Sequence, residues 1–262
     1  MVPVYVGYDP REAAVFTVFN QSIIQHSSVP VAIHPLHGPM LGDFDGQQDG
    51  TNAFIYSRYL VPELQGYEGW AMFCDGDMIF CEDIAELWNL RDDKYAVMVA
   101  KHEYSTNQSR KYIGTPIESR NDDYPRKNWS SVILFNCGHP SNKIVDRKLV
   151  AEAGGAYLHR FSWLNDDEVG EIPIEWNWLV GEYDHNPDAK LLHWTHGAPG
   201  FQHYARCDGS WEFNAHLLDA INMIGEEPDQ MIGRACQRNT DIGSNYQLRN
   251  ASNGDSRLSR SR

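Results

Sequence analysis

Two aspartates, Asp75 and Asp77, follow directly on the apolar run Trp70–Cys74. Side chains two residues apart in extended chain point the same way, so both carboxylates can reach one cation. Gly76 between them leaves room for a ligand to approach the backbone. A hard cation such as Mg2+ takes one or two protein carboxylates and completes its shell with substrate phosphates. A buried strand ahead of the pair delivers it to the carboxyl edge of a sheet, where α/β proteins bind ligands. The spacing alone is weak, because Asp43-Phe44-Asp45 repeats it within a Gly-rich loop of a chain holding 36 Asp and Glu. Only Asp75 follows an apolar strand, and that context selects the second pair. The competing reading is a solvated turn after a strand. An EF-hand is excluded because Ile79 stands where an oxygen ligand is required.

The surrounding pattern predicts the elements that hold this pair. Val4-Tyr5-Val6-Gly7-Tyr8 alternates and is β-branched, a first strand. Asp9-Pro10-Arg11-Glu12 offers a helix N-cap, Pro at the first helical position and a Glu to close a capping box. Ala13, Phe16, Thr17, Ile23 and Ile24 continue near helical spacing to His26. A strand running into a capped helix opens a nucleotide-binding α/β unit, although no GxGxxG is present. Further strands are expected over Val29–Leu36, Trp70–Cys74, Met78–Phe80, Tyr95–Ala100, Ser131–Phe135 and Leu191–Trp194. Helices are expected over Thr51–Leu64, Asp83–Leu90, Asn142–Ala153 and Trp211–Ile224. Residues 102–128 are polar, with Pro116 and Pro125, and read as a functional loop or lid. From Gln237 onward Asn, Ser, Gly and Arg predict a flexible tail. The expected organisation is one mixed α/β domain over 1–236 followed by a tail over 237–262.

Composition narrows the partners. With 42% hydrophobic and 22% charged residues the chain has an ordinary soluble profile. No apolar run approaches the roughly 20 residues needed to span a bilayer. The first residues lack the basic and apolar regions of a signal peptide. The net charge of -14 disfavours nucleic acid, since the one tight basic cluster is Arg257–Arg262 in the tail. Five cysteines without CxxC spacing argue against a disulfide framework and a zinc site. Buried thiols at Cys74 and Cys137 fit a reducing, cytoplasmic compartment. Asn128-Trp129-Ser130 and Asn250-Ala251-Ser252 then match the N-glycosylation pattern by chance. Eight Trp and thirteen Tyr suit stacking on carbohydrate.

Phe73-Cys74-Asp75-Gly76-Asp77-Met78-Ile79 resembles the DxD segment of the GT-A glycosyltransferases, especially family 8, which includes glycogenin and bacterial lipooligosaccharide galactosyltransferases. Tyr56–Leu64 is similar to that family's helix ending in Pro-Glu-Leu, and Leu134-Phe135-Asn136-Cys137-Gly138 to its FNxG strand end. Asp166-Asp167-Glu168 stands where the family has an acidic DQD motif, and His193–Gly197 resembles its late HxxG motif. The matches occur in order over about residues 4–204 and imply a GT-A, Rossmann-like α/β domain with a central mixed, mostly parallel sheet.

The resemblance implies roles. Asp75, Asp77 and His193 would hold the metal, with Mn2+ favoured over Mg2+ by the imidazole. Tyr8 and Asp9 would meet the nucleoside of a UDP-sugar, although Asp9 also serves as a helix cap. Arg58 would lie near the diphosphate or the donor sugar, with Gly76 at the metal turn and Asn136 and Gly138 beside the sugar. Asp166 and Asp167 would carry catalysis with retention, or Asn165, Asp166 and Asp167 in a shifted register; the bland reading is an acidic surface turn. The family's lysine after HxxG is missing, since Pro199-Gly200-Phe201 follow. Phosphate binding then falls to the metal, to amides near Gly197, or to His196. The acceptor would be a glycan, a lipid-linked sugar or a protein. Rival readings are a sugar-1-phosphate nucleotidyltransferase, a non-catalytic carbohydrate-binding protein, and a glycoside hydrolase.

Overall fold

The computed structural model describes residues 1–42, 44 and 52–221. Asp43 and Asp45, Cys236, Asn250, the boundary at 236, the tail from Gln237 and the basic cluster Arg257–Arg262 lie outside the described residues.

The chain opens with β1 (Val2–Gly7), a 3-10 turn over Pro10–Glu12 and α1 (Ala13–His26). Asp9 caps the turn by accepting from the Arg11 N–H, but the capping box does not form: Glu12 is buried instead. β2 (Val31–Leu36) follows. The long helix expected from Thr51 is reduced to a 3-10 turn over Ser57–Leu60 and α2 (Val61–Leu64). Two causes are visible. The Ala53 N–H is taken by the Asp9 carboxylate. Pro62 fits the first turn of α2 but cannot continue a helix that began upstream. β3 (Trp70–Cys74), β4 (Met78–Phe80), α3 (Ile84–Trp88) and β5 (Val97–Ala100) come next, α3 capped by Asp83.

The polar 102–128 segment contains a small antiparallel hairpin, β6 (Arg110–Lys111) and β7 (Ser119–Arg120). After β8 (Val132–Asn136), the helix expected over Asn142–Ala153 is split into a 3-10 turn, Pro140–Ile144, and α4 (Arg147–Glu152). Asp146 makes the break: its backbone is extended and its carboxylate accepts from the Leu149 N–H at 2.8 Å. α5 (Gly155–His159), β9 (Val169–Ile172) and β10 (Trp178–Leu179) have no clear period in the sequence. β11 (Leu191–His193) and α6 (Ser210–Ile221) complete the described chain.

The main sheet has the order β2-β1-β3-β8-β5-β9. The pairs β1–β2, β1–β3 and β5–β9 are parallel, whereas β8 runs against both neighbours, β3 and β5. This is the mixed, mostly parallel α/β architecture that the resemblance implied. Alternation divides the strands into two faces. Tyr5, Phe73, Ile133 and Val97 pack on one side with Tyr59 and Phe161, and Val4, Met72, Leu134 and Met98 on the other with Phe19 and Phe80. A second sheet, β10-β11-β4, sets His193 opposite Met78 and so brings the end of β11 beside Asp77. Cys74, Cys81, Cys137 and Cys207 are free thiols.

Gly76, in the link between β3 and β4, passes close to the end of β1. A Cβ there would stand 2.5 Å from the Gly7 carbonyl oxygen, so the glycine is required by packing against backbone. Gly76→Ala should therefore lower stability by about 1–3 kcal/mol, the usual cost of overpacking. Urea unfolding followed by circular dichroism, showing a lower midpoint at unchanged slope, checks this; an unshifted midpoint would mean the turn has slack.

Candidate metal centre and its pocket

At one edge of the main sheet the ends of β1 and β3 meet the start of β8. The Asp75 N–H donates to the Ser131 carbonyl at 2.9 Å, and the Trp194 N–H to the Asp77 carbonyl at 3.1 Å. These backbone bonds fix Asp75, Asp77 and His193 relative to one another. One carboxylate oxygen of each aspartate and an imidazole nitrogen lie within 4.8 Å of one another. His193 Nε2 stands 3.4 Å from Asp77 Oδ1 and 4.0 Å from Asp75 Oδ2.

The tautomer of His193 follows from its neighbours. Its Nδ1 lies 2.9 Å from Asn177 Oδ1. The Asn177 amide nitrogen donates to the Asn128 carbonyl at 3.1 Å and to Ser131 Oγ at 2.9 Å. A carbonyl can only accept, so the amide nitrogen must face it and the amide oxygen must face His193. Nδ1 then carries a proton, and Nε2 faces the two carboxylates, the nitrogen that can offer its lone pair to an ion. Asn177 is wholly buried and His193 nearly so, which holds this relay rigid.

The carboxylates differ. Burial pushes the Asp77 carboxyl up, but the adjacent His193 and the hydrogen bond from the Tyr112 hydroxyl outweigh it, leaving the pKa below its ordinary value. Tyr112 Oη donates to Asp77 Oδ2 at 2.8 Å. Asp75 stays above its ordinary value through burial, which the Arg58 guanidinium offsets only in part while Asp77 adds repulsion. Arg58 is buried beneath the pair, its Nη1 2.9 Å from Asp75 Oδ1 and 2.8 Å from the Ser130 carbonyl. Its guanidinium packs on the rings of Phe73 and Phe54.

The cluster lines an open cavity of about 90 Å3, whose walls add Asn52, Ile55, Lys111, Tyr112, Tyr124, Asn128, Ser130, Ser131, His159 and Thr195. Four buried oxygens here, Asn52 Oδ1, Asp75 Oδ1, Asp77 Oδ1 and Thr195 Oγ1, have no hydrogen-bond partner, Asp75 Oδ1 being held by its ion pair with Arg58. An orphaned carboxylate oxygen, a second carboxylate and an imidazole lone pair are a donor set that fits a divalent metal ion. His159 Nδ1 meets both Tyr59 Oη and Ser130 Oγ at 2.8 Å. Burial, aided by Arg58 and Lys111, pushes its pKa down to about 3, so this wall is a neutral imidazole.

Several expected site residues are elsewhere. Asp9 is buried, and its carboxylate is saturated by the Arg11 N–H and guanidinium and by the Ala53 N–H. It clamps the segment that carries Asn52 and Ile55, and it is not a pocket wall. Tyr8 packs against the rings of Phe16 and His37, also outside the walls. Asn136 pairs with Trp70, at the opposite end of β3 from Asp75, and Gly138 lies beyond it near Tyr67 and Gly69. The physical reason is that β8 is reversed, so it presents its start to the site and its end to the far rim.

Asp166 and Asp167 are exposed, in a turn that Asn165 and Glu168 close as a capping box before β9. Asp166 pairs with Arg126, and neither aspartate lines the cavity: this is the acidic surface turn. His196 Nε2 binds Glu182 Oε1 at 2.8 Å instead of facing the cavity. Burial pushes the Glu182 carboxyl up, but hydrogen bonds from His196, Thr106 and the Asn107 N–H bring its pKa to about 2. Gly197, at φ 145°, packs against the Tyr204 ring, which a Cβ would meet at 2.3 Å. Of the expected residues, Asp75, Asp77, His193 and Arg58 are thus brought together.

Asn128, Ser130, Ser131, Asn177, Lys111, Tyr112 and His159 are walls or supports that sequence reasoning missed. One signal was available for Asn177, a lone amide between Trp176 and Trp178. Lys111 and Tyr112 sit in the segment read as a lid.

No family model matches the chain. It is 43% identical over 216 residues to Protein CDI of Arabidopsis thaliana, covering 78% of this chain and 82% of that protein. Solved structures share its fold at low identity. The glycosyltransferase GlyE of Streptococcus pneumoniae TIGR4 aligns with a TM-score of 0.56 at 12% identity, over 91% of this chain and 64% of GlyE. The bifunctional glycosyltransferase WbbM aligns at 0.54 and 17%, over 89% of this chain and 51% of WbbM, so the chain spans about half of that protein. An active-site mutant of LgtC aligns at 0.54 and 11%, over 86% of this chain and 98% of LgtC. The fold is that of the GT-A glycosyltransferases.

The relay through Asn177 can be tested by metal binding alone. Asn177→Leu frees the ring to rotate or change tautomer, so Mn2+ affinity, read by electron paramagnetic resonance, should fall about 10- to 100-fold. Unchanged affinity in a folded variant would show that His193 needs no such support.

Proposed function

The chain belongs to the family of Protein CDI of Arabidopsis thaliana, and we propose that it is a metal-dependent glycosyltransferase using a nucleotide-sugar donor. The observation that carries this reading is the Asp75–Asp77–His193 cluster at the carboxyl edge of a GT-A sheet, with Asp77 and His193 buried and Asp75 half-buried. LgtC, which shares the fold, is a galactosyltransferase that has been solved with donor and acceptor sugar analogues. The donor we favour is a UDP-sugar, and the reaction type is that of family 8, with retention at the anomeric carbon. The metal we favour is Mn2+, because imidazole suits a transition metal better than it suits Mg2+.

In this reading Asp75, Asp77 and His193 would hold the ion, which would supply charge neutralisation to a diphosphate leaving group. The sugar exchanges a phosphate oxygen for an acceptor hydroxyl oxygen at its anomeric carbon. The electron pair of the broken bond stays on the diphosphate, and the acceptor's hydroxyl proton passes to the departing diphosphate. Arg58 holds Asp75 in place through the 2.9 Å contact and favours its ionised form. Ser130, Ser131 and Asn128 offer the polar edge against which sugar hydroxyls are bound. Tyr124 and Ile55 form the apolar wall on which the acceptor, a glycan, a lipid-linked sugar or a protein side chain, would rest. Asp166 and Asp167 receive no catalytic role. A cytoplasmic location accords with the free thiols, and no described helix is long and apolar enough to cross a membrane.

A panel of UDP- and GDP-sugars, titrated with Mn2+ and with EDTA, tests the reading. One donor should bind and be slowly hydrolysed only with metal, and Asp77→Asn should weaken it at least about tenfold, the factor for about 1.4 kcal/mol. Metal-dependent binding without any turnover would mark a non-catalytic donor-binding protein. Metal-independent or absent binding to every donor would sink the transferase reading.

A further inference from the structure

One cation in the cavity is left unused by the contacts around it. Lys111, the last residue of β6, lines the cavity beside Asp75, Asp77 and Arg58. Among the described residues its ammonium has no hydrogen-bond or ion-pair partner, and its recorded contact is with the Tyr112 ring, 5.8 Å from Nζ to the centroid. Arg58, by contrast, is committed to Asp75, the Ser130 carbonyl and the Ile55 carbonyl. A lysine head is a compact, strongly hydrated charge with three donors. Holding one half-buried with those donors idle is costly unless an anion takes them.

The hairpin that delivers Lys111 is pinned at the next residue. Tyr112 donates its hydroxyl to Asp77 Oδ2 at 2.8 Å and its N–H to the His196 carbonyl at 2.6 Å, and the Ile113 N–H donates to Tyr204 Oη at 2.8 Å. Tyr112 is held at φ 54°, a left-handed conformation that a bulky residue keeps only when its surroundings dictate it. The lysine is therefore set against the metal carboxylates by a strained, over-determined anchor. Charges point the same way. Asp75 and Asp77 are balanced by Arg58 and Lys111, so a divalent ion would leave the cavity with a positive surplus suited to a diphosphate.

We propose that Lys111 is the diphosphate anchor of this site, its ammonium donating to phosphate oxygens of a nucleoside diphosphate bound over Asp75 and Asp77. This rests on the donor-site reading above, and the two can fail separately. UDP, GDP and the matching monophosphates are titrated by calorimetry, with Mn2+, into the wild-type full chain and into Lys111→Met, Lys111→Gln and Lys111→Arg. The diphosphate that binds wild type should bind the Met and Gln variants about 10- to 100-fold more weakly, the range for a lost charge-assisted hydrogen bond. The monophosphate should lose less, Lys111→Arg should restore most of the diphosphate preference, and Mn2+ alone should bind every variant at least as tightly as wild type.

If wild type binds neither diphosphate, the donor-site reading falls and this one with it. If wild type binds one and the neutral variants match it within about twofold, the assignment of Lys111 is overturned while the donor site stands. Loss of Mn2+ affinity together with diphosphate affinity also overturns it, since Lys111 would then be supporting the metal centre.

Discussion

Two carboxylates set side by side at the end of a buried strand repel each other, and much of the surrounding structure consists of the groups that make the pair tolerable. Arg58 is buried against one carboxylate, and the Tyr112 hydroxyl and His193 against the other. Even the start of α1 is conditioned by them. Burial, with Asp77 and Asp9 adding repulsion that outweighs the attraction of Arg11, holds the Glu12 carboxyl well above the ordinary range. Burial and like charges thus act together to disfavour a further negative charge beside the pair. The cluster is thus an electrostatic load spread over α1, the Ser57–Leu60 turn, the β6–β7 hairpin and β11, elements far apart in sequence.

That load explains why the site depends on supports that carry no chemistry. The Asn177 amide is oriented by the Asn128 carbonyl and Ser131, and so settles which nitrogen of His193 is free. Asp9 ties the chain at Ala53 to the end of β1, close ahead of the turn that places Arg58. Such links convert a loose acidic cluster into a fixed donor set, which is what selective ion binding requires.

The sheet and the aspartate pair were legible because both are local: apolar runs with period two, and two carboxylates directly after one of them. His193 and Arg58 were reached through resemblance, since nothing near a lone histidine or a helix arginine announces where it points. Strand direction was the main thing not written locally. Val132–Asn136 reads the same whichever way it runs, so its end, Asn136, was expected at the site, whereas its approach, Asn128–Ser131, is what arrives there. Asp9 and the acidic turn at Asp166 lie away from the cavity walls, and the sequence could not show this for a related reason. A carboxylate that caps, clamps or merely faces water has the same letter as one that binds a ligand. The helix breaks at Pro62 and Asp146 were readable in principle, since each residue has a known effect on helix continuation.

The reversed strand also fixes how the chain enters and leaves the 102–128 segment. β5 ends, and β8 begins, at the same rim, on adjacent antiparallel strands. The whole segment is therefore an over-long hairpin connection whose two stems stay in register whatever lies between them. Closing such a connection costs only about 0.6 kcal/mol more for each doubling of its length. The cavity's outer wall can accordingly lengthen, shorten or be exchanged between relatives with almost no tax on the sheet, while the carboxylates beneath it keep their places.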